Sequence, residues 1–512
     1  MRAVPAPTLA QALVDSHDDL RQARFGAAVS RLKSLLATKH APAEAALLLA
    51  RAELKRGAPG AGLEVLTRYA HLLDTRHLKA HAALLRGMAF ARLDDAASAR
   101  AQFAAASKLL TKTDDLQAEL TYQIAAAQWI ARDLDAATKT LAKLPAAIEP
   151  DLDLQARILR GAIASARERL PAQGAILLDA LHTLGRNPNV GMHAYSVLVT
   201  QISALAVELP SSALRDAALD AIETVEWTAD TVDLHFHAVR ALAWRHALDG
   251  DEFNAFRRLK EAMLVARTPA WRVAALADRA YLADALGERR WSAQELRDAH
   301  ELARTIDWNT IEGEEKLALP VLAQLFASKD PALAIHYAST FASVGKNYAR
   351  ILSSNNDRRV RALEAYSLGI VQRELGERAE AVRLFKEAWT IYDHYGISWR
   401  AARCALALSE LDERAIWERR AAHAMAEYPR IWMARGRAPG AGGIAPIPSP
   451  ELKKLTAAQR AVFDLILDGR DPEQIARAVG RSVYTVRNHI KAIYKAFGVT
   501  SRPALIVKAS GG

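Results

Sequence analysis

Cysteine is nearly absent from this chain: Cys404 is the single thiol among 512 residues. That excludes an internal disulfide framework and any zinc site built on cysteine pairs. One thiol in a chain of this size suits a reducing cytoplasm, which is the expected compartment. Aromatic residues are scarce as well, 6% of the sequence, and β-branched runs are few. Alanine is used heavily in their place, a balance that favours helices over sheets. The expected fold class is all-α. No apolar run approaches the roughly 18 residues needed to cross a bilayer. The opening Met1–Ala10 holds one charge and two prolines but no apolar stretch, so neither export nor membrane contact is expected.

The familiar catalytic signatures are missing too. A phosphate-cradling loop needs Gly-x-x-x-x-Gly-Lys-Ser/Thr, and the nearest fragment, Gly345-Lys346-Asn347, lacks the earlier glycine and the hydroxyl residue. His235 and His237 stand two apart in helical sequence and point in different directions, so they read as ordinary helix residues. Glu312, Glu314 and Glu315 read as a solvated acidic turn. Cys404 lies in the apolar run Ala402–Ala407 and reads as a buried structural thiol. With no nucleophile beside a base, no catalytic residue, metal site or cofactor is expected. The chain reads as a non-enzyme.

At 512 residues the chain is too long for one compact core. Between about Arg435 and Pro450, glycine and proline are too dense for helix or strand. Residues 436–450 are therefore read as a linker between a long region, 1–435, and a short domain, 451–512. Charge divides along the same line. From Glu451 to Gly512 there are 11 Lys/Arg against 5 Asp/Glu, leaving 57 against 53 in the rest. No acid follows Glu473, whereas seven basic residues do. A polyanion is the natural partner for such a segment.

The long region repeats itself. Leu368-Gly369, Ala381, Phe385 and Ala388 flank the break Leu375–Arg378; small residues at Gly369 and Ala381 would let two antiparallel helices approach, with Leu368 and Phe385 between them. Gly87, Phe90, Ala99, Phe103 and Ala106 stand at similar offsets around Leu93-Asp94-Asp95. A third copy is read at Ala241, Trp244, Phe256 and Ala262 around Asp249-Gly250-Asp251, with weaker copies near 125–144 and 277–299. These units resemble tetratricopeptide repeats, over most of residues 40–410. Near 185–230 and 305–350 the match is poor, and a non-repeating bundle is the alternative there. The resemblance implies an α-solenoid whose concave surface takes a protein, peptide or small-molecule effector.

Four helices are read in 451–512. The first runs from Thr456 to Leu467 and is closed by Gly469; the second follows Asp471, opens on Pro472 and turns inward Ile475, Ala476 and Val479. After the turn Gly480-Arg481, Ser482 caps a third helix, Val483 to Phe497, and Ser501 caps a fourth. Val486, Ile490, Ile493 and Phe497 recur at spacings of three and four, a buried stripe. Tyr484, Arg487, Asn488, Lys491 and Lys495 fall on the other side with no acid among them. Helix, tight turn and longer helix is the arrangement that seats a helix in the major groove. Arg487 suits guanine, Asn488 adenine, and Lys491 a base or phosphate. His489, beside the buried stripe, reads as a packed histidine in preference to a pH switch.

This segment resembles the LuxR/FixJ-type (GerE-like) helix-turn-helix domain, through Leu455-Thr456, Gly469, Ile475-Ala476, Val479, Ser482, Thr485–Ile490, Ile493–Lys495, Phe497–Val499, Ser501-Arg502 and Leu505. The resemblance implies base contacts at Arg487, Asn488 and Lys491, phosphate or groove contacts at Tyr484, Thr485, Lys495 and Arg502, and a homodimer on double-stranded DNA. Three positions depart from the pattern. Gln459 replaces a glutamate and with it an expected ion pair, Arg481 replaces an apolar residue and is read as an added phosphate contact, and Ala496 precedes Phe497. A receiver domain is not expected, because residues 1–130 have helical periodicity throughout. The expected function is a sequence-specific transcriptional regulator; the alternative is a repeat scaffold whose basic tail holds nucleic acid without sequence preference.

Overall fold

The structure is a computed structural model that describes residues 9–111, 113–311, 313–351, 356–428, 430–434, 455–467, 472–501 and 504–505. Among these, regular structure is helical throughout. The helices follow in consecutive pairs: Leu9–Arg21 and Phe25–Leu36, Ala43–Lys55 and Pro59–Arg68, Arg76–Arg92 and Ala96–Leu109, Leu116–Ile130 and Leu134–Leu141, Pro150–Ala166 and Leu170–Leu184. Met192–Glu208 and Ser212–Ile222 come next. Val232–Leu248 and Glu252–Val265, Pro269–Ala285 and Arg289–Ala303, Ala318–Phe326 and Pro331–Ile351, Asn356–Glu374 and Arg378–Tyr395, and Ser398–Leu411 and Arg414–Met425 continue the series. The chain divides into two compact units, one of residues 1–202, 217–235 and 353–355, the other of residues 203–216, 236–352 and 356–512.

One local rule builds most of these hairpins. A small residue on the first helix meets, twelve, sixteen and nineteen positions later, the inner face of the second. Gly87, Ala99, Phe103 and Ala106 obey it, and a Cβ on Gly87 would lie 2.5 Å from Cε1 of Phe103, so only glycine fits. Gly369, Ala381, Phe385 and Ala388 repeat it, with the glycine 2.7 Å from the Phe385 ring by the same measure. The first unit adds Ser16/Ala28/Leu32/Leu35, Ala50/Gly62/Leu66/Tyr69, Ala125/Ala137/Leu141/Leu144 and Gly161/Gln173/Leu177/Ala180. The second adds Ala280/Ser292/Leu296/Ala299, where the Ser292 hydroxyl donates to the Ala280 carbonyl at 3.0 Å.

The turn obeys the rule as well. Seven residues after the small position the backbone enters the left-handed region: Ala23, Gly57, Asp94, Arg132, Glu168, Gly250, Gly287 and Gly376, with φ between 54° and 83°. The next N–H then reaches back to a carbonyl of the first helix, as Asp95 does to Phe90 and Glu377 to Gln372, both at 2.9 Å. Where that next residue is aspartate its carboxylate also caps the second helix: Asp95, Asp133 and Asp251 accept from Ser98, Ala136 and Asn254 N–H.

This frame corrects the third sequence copy. Its inner residues are Ala243, Ala255, Leu259 and Ala262; Ala241, Trp244 and Phe256 are only half-buried, because the sequence reading followed the bulky rings and slipped the register. The stretches 185–230 and 305–350 are helical too, but no described residue in them takes positive φ. Their turns are built differently, which is why they matched poorly. The acidic turn is also corrected. Glu315 and Lys316 are buried, and Glu315 lies 3.7 Å from Nε2 of His237; Glu312 lies outside the described residues. His235 stacks on Trp227 at 4.6 Å. Cys404 is fully buried, and burial pushes its thiol up to about 12. No described helix is long and apolar enough to cross a membrane.

Candidate nucleic-acid interface

The helices Ala457–Leu467, Pro472–Val479 and Val483–Phe497 close on a small apolar core. Val462, Phe463 and Ile466 meet Ile475, Ala476, Val486, Ile493, Phe497 and Leu505. Phe463 stacks on Phe497 with centroids 5.1 Å apart and planes 13° apart. The buried stripe therefore includes Val486, Ile493 and Phe497 as the spacing predicted, with Ile490 half-buried at its edge.

The first and third helices start on side-chain caps. Thr456 and Gln459 form a reciprocal capping box: Gln459 N–H donates to Thr456 Oγ1 at 3.2 Å, and Thr456 N–H donates to Gln459 Oε1 at 2.9 Å. Gln459 thus keeps the hydrogen bonds of the cap without a charge, a role the sequence reading did not include. The Thr-x-x-Gln spacing carried that signal. Ser482, extended at φ −71° and ψ 150°, accepts from Thr485 N–H at 3.1 Å. Its hydroxyl also pairs with Thr485 Oγ1 at 2.8 Å.

The tight turn needs its glycine. Gly480 has φ +62°, and Arg481 N–H returns to the Ala476 carbonyl at 3.0 Å. Gly498, also left-handed, ends the third helix, with Val499 N–H reaching Tyr494 O at 2.9 Å. After it, Ser501 Oγ accepts from Ala504 N–H at 3.4 Å, the start of the expected fourth helix. Gly469, Asp471, Arg502 and the 436–450 linker lie outside the described residues.

Tyr484, Asn488, Lys491 and Lys495 recur at intervals of four, three and four, a single exposed row along the third helix, and Tyr484 is 76% exposed. Arg487 stands beside that row, and Arg481 and Ser482 are exposed just before it. Thr485 and His489 are half-buried. One contact was not read from the sequence: Arg487 Nη2 lies 3.3 Å from Glu473 Oε1, in the first turn of the second helix. The partners are fourteen residues apart, and only the angle between two helices joins them. Both side chains are about half exposed, so the pair contributes little to stability.

Residues 453–509 match the family model described as GerE, bacterial regulatory proteins, luxR family. The chain therefore carries a LuxR-type helix-turn-helix domain in those residues. Among solved structures, the crystal structure of the APC/C hetero-tetramer Cut9-Hcn1 is similar at 13% identity and a TM-score of 0.34, over 98% of this chain and 97% of that one. No curated protein is significantly similar in sequence.

Proposed function

We propose that the chain is a sequence-specific transcriptional regulator that binds double-stranded DNA as a homodimer through residues 451–512, while region 1–435 receives a protein, peptide or small-molecule effector. The carrying observation is the row Tyr484, Asn488, Lys491 and Lys495, with Arg487 beside it, on a helix capped at both ends and free of exposed acids. In this reading Arg487, Asn488 and Lys491 read base edges, and Tyr484, Thr485, Lys495, Arg502 and Arg481 hold phosphate and groove. Ser482 fixes where the reading helix starts. An effector shifts the population in which the DNA-binding domain, tethered through 436–450, is free to engage.

The test is immunoprecipitation of DNA bound by the full chain in cells, beside an Arg487→Ala/Lys491→Ala variant. Discrete peaks sharing a palindromic site, lost in the variant, are the expected result. Binding spread without sequence preference and abolished by modest salt would instead fit a scaffold with a non-specific basic tail.

A further inference from the structure

The first unit contains a cavity of about 1100 Å³, lined by helices Ala43–Lys55, Arg76–Arg92, Leu116–Ile130 and Pro150–Ala166 together with Phe25 and His193. That is ample for a small molecule. Phe25, Leu47, Leu48 and Met88 give it an apolar wall.

The charges around this cavity are almost all committed. Arg51 holds Glu119 at 2.8 Å and lies 2.9 Å from His81 Nε2. His17 holds Glu44, and Arg21 holds Asp18. Asp115 accepts from Leu116 N–H at 2.9 Å. Asp151 accepts from Gly191 N–H at 2.8 Å and from the Gln155 amide at 2.7 Å. Glu149 is exposed at the rim.

Two groups stand apart. Lys55 lines the cavity half-buried, and among the described residues its ammonium has neither a hydrogen bond nor an ion pair; burial pushes it down from the usual lysine range, against the more distant pull of Asp151 and Glu119. His193 has a buried Nδ1 with no hydrogen-bond partner, its ring set edge-on to Phe25 at 5.4 Å. It is close enough to Lys55 for that ammonium to disfavour the imidazolium. A half-buried cation and an unsatisfied ring nitrogen against an apolar wall lack one thing, a compact anion on a hydrocarbon body. A cationic ligand would find no uncommitted carboxylate deeper than Glu149, and Glu149 would repel a multiply charged anion at the mouth.

We infer that this cavity is a binding site for a small monocarboxylic acid, with the carboxylate on Lys55 Nζ and His193 and the apolar body against Phe25, Leu47 and Leu48. As the place where an effector acts, it rests on the regulatory reading above. The site can be tested on the full chain with 8-anilinonaphthalene-1-sulfonate, an aromatic monoanion, as fluorescent probe. Octanoate and octanol serve as competitors.

Octanoate should displace the probe while octanol does so at least about tenfold more weakly, the value of one charge-assisted hydrogen bond. Lys55→Met should lower octanoate affinity by about tenfold or more and leave that of octanol unchanged. Lys55→Arg should restore part of it. Circular dichroism checks that the variants are folded; Lys55→Gln is the second variant. Equal displacement by both competitors, or probe binding indifferent to Lys55→Met, overturns the site. Lys55-dependent octanoate binding without change in DNA affinity keeps the site and removes its regulatory role. Discrete palindromic peaks in the immunoprecipitation, with no octanoate binding, remove the site and keep the DNA-binding reading.

Discussion

At the scale of single residues, Arg487 is the side chain on which the DNA-binding reading turns, and Glu473 is its unexpected companion. A guanidinium free to approach a guanine edge contributes about 1–3 kcal/mol of discrimination. Arg487→Ala should therefore weaken operator binding by that amount and flatten the preference at one base pair, measured by competition with single-base operator variants. Lys495→Ala should instead weaken all sequences alike and reduce the slope of log affinity against log salt by about one. Glu473→Gln removes a carboxylate from beside Arg487. Tighter binding to all DNA with a smaller specificity ratio is expected; an unchanged ratio would make Glu473 a bystander. Ser482→Ala deletes a cap bond to Thr485 N–H and should cost about 1 kcal/mol of domain stability by denaturant titration. The row, the cap and the buried stripe were legible because each depends on spacing within one helix. The Glu473 pair was not, since it depends on how two helices cross. Gln459 was legible in part: its charge was weighed and its hydrogen-bonding capacity was not.

At the scale of the element, the hairpins were legible where glycine or phenylalanine marked them and obscure where alanine and leucine did the same work. Gly87 and Gly369 advertise close helix approach; Ala243 and Ala280 occupy the same position silently. The left-handed turn residue is the more constant mark, yet at Ala23, Arg132 and Glu168 it is not glycine, so no residue type betrays it. That difference is testable. Gly376→Ala places a Cβ in a left-handed position and should cost about 1–2 kcal/mol. Glu168→Gly relieves the same strain and should be neutral to slightly stabilising, because glycine's greater freedom when unfolded offsets part of the gain. Gly87→Ala fails for a different reason, packing: the Phe103 ring must move, at a cost of about 1–3 kcal/mol. Adding Phe103→Leu should recover part of that loss, whereas it would do nothing for Gly376→Ala. Thermal melts of these four variants separate strain in the turn from crowding between the helices.

At the scale of the whole molecule, the composition that made the chain readable as all-α also half-buries histidines against its alanine-rich helices. His81 is pushed down to about 4 by burial and by the Arg51 guanidinium, and His193 to about 3 by burial with Lys55 and Arg92. Unfolded histidine titrates near 6.5. Both are neutral in either state above that value, so they impose no penalty at pH 7.5. As pH falls below about 6.5 the unfolded chain takes up protons that the folded chain refuses, and stability declines until the folded values are reached. Carboxylates held down by partners, such as Glu119 beside Arg51, lose their contribution only at lower pH. The interval from about 6.5 to 5 therefore belongs mainly to the histidines, at an upper limit of roughly 1.4 kcal/mol per pH unit for each. Urea titrations of the full chain should show a falling midpoint across that interval. A His81→Gln/His193→Gln variant should show a shallower one, and a wild-type midpoint that stays level would mean these rings are charged, or solvated, in the folded protein.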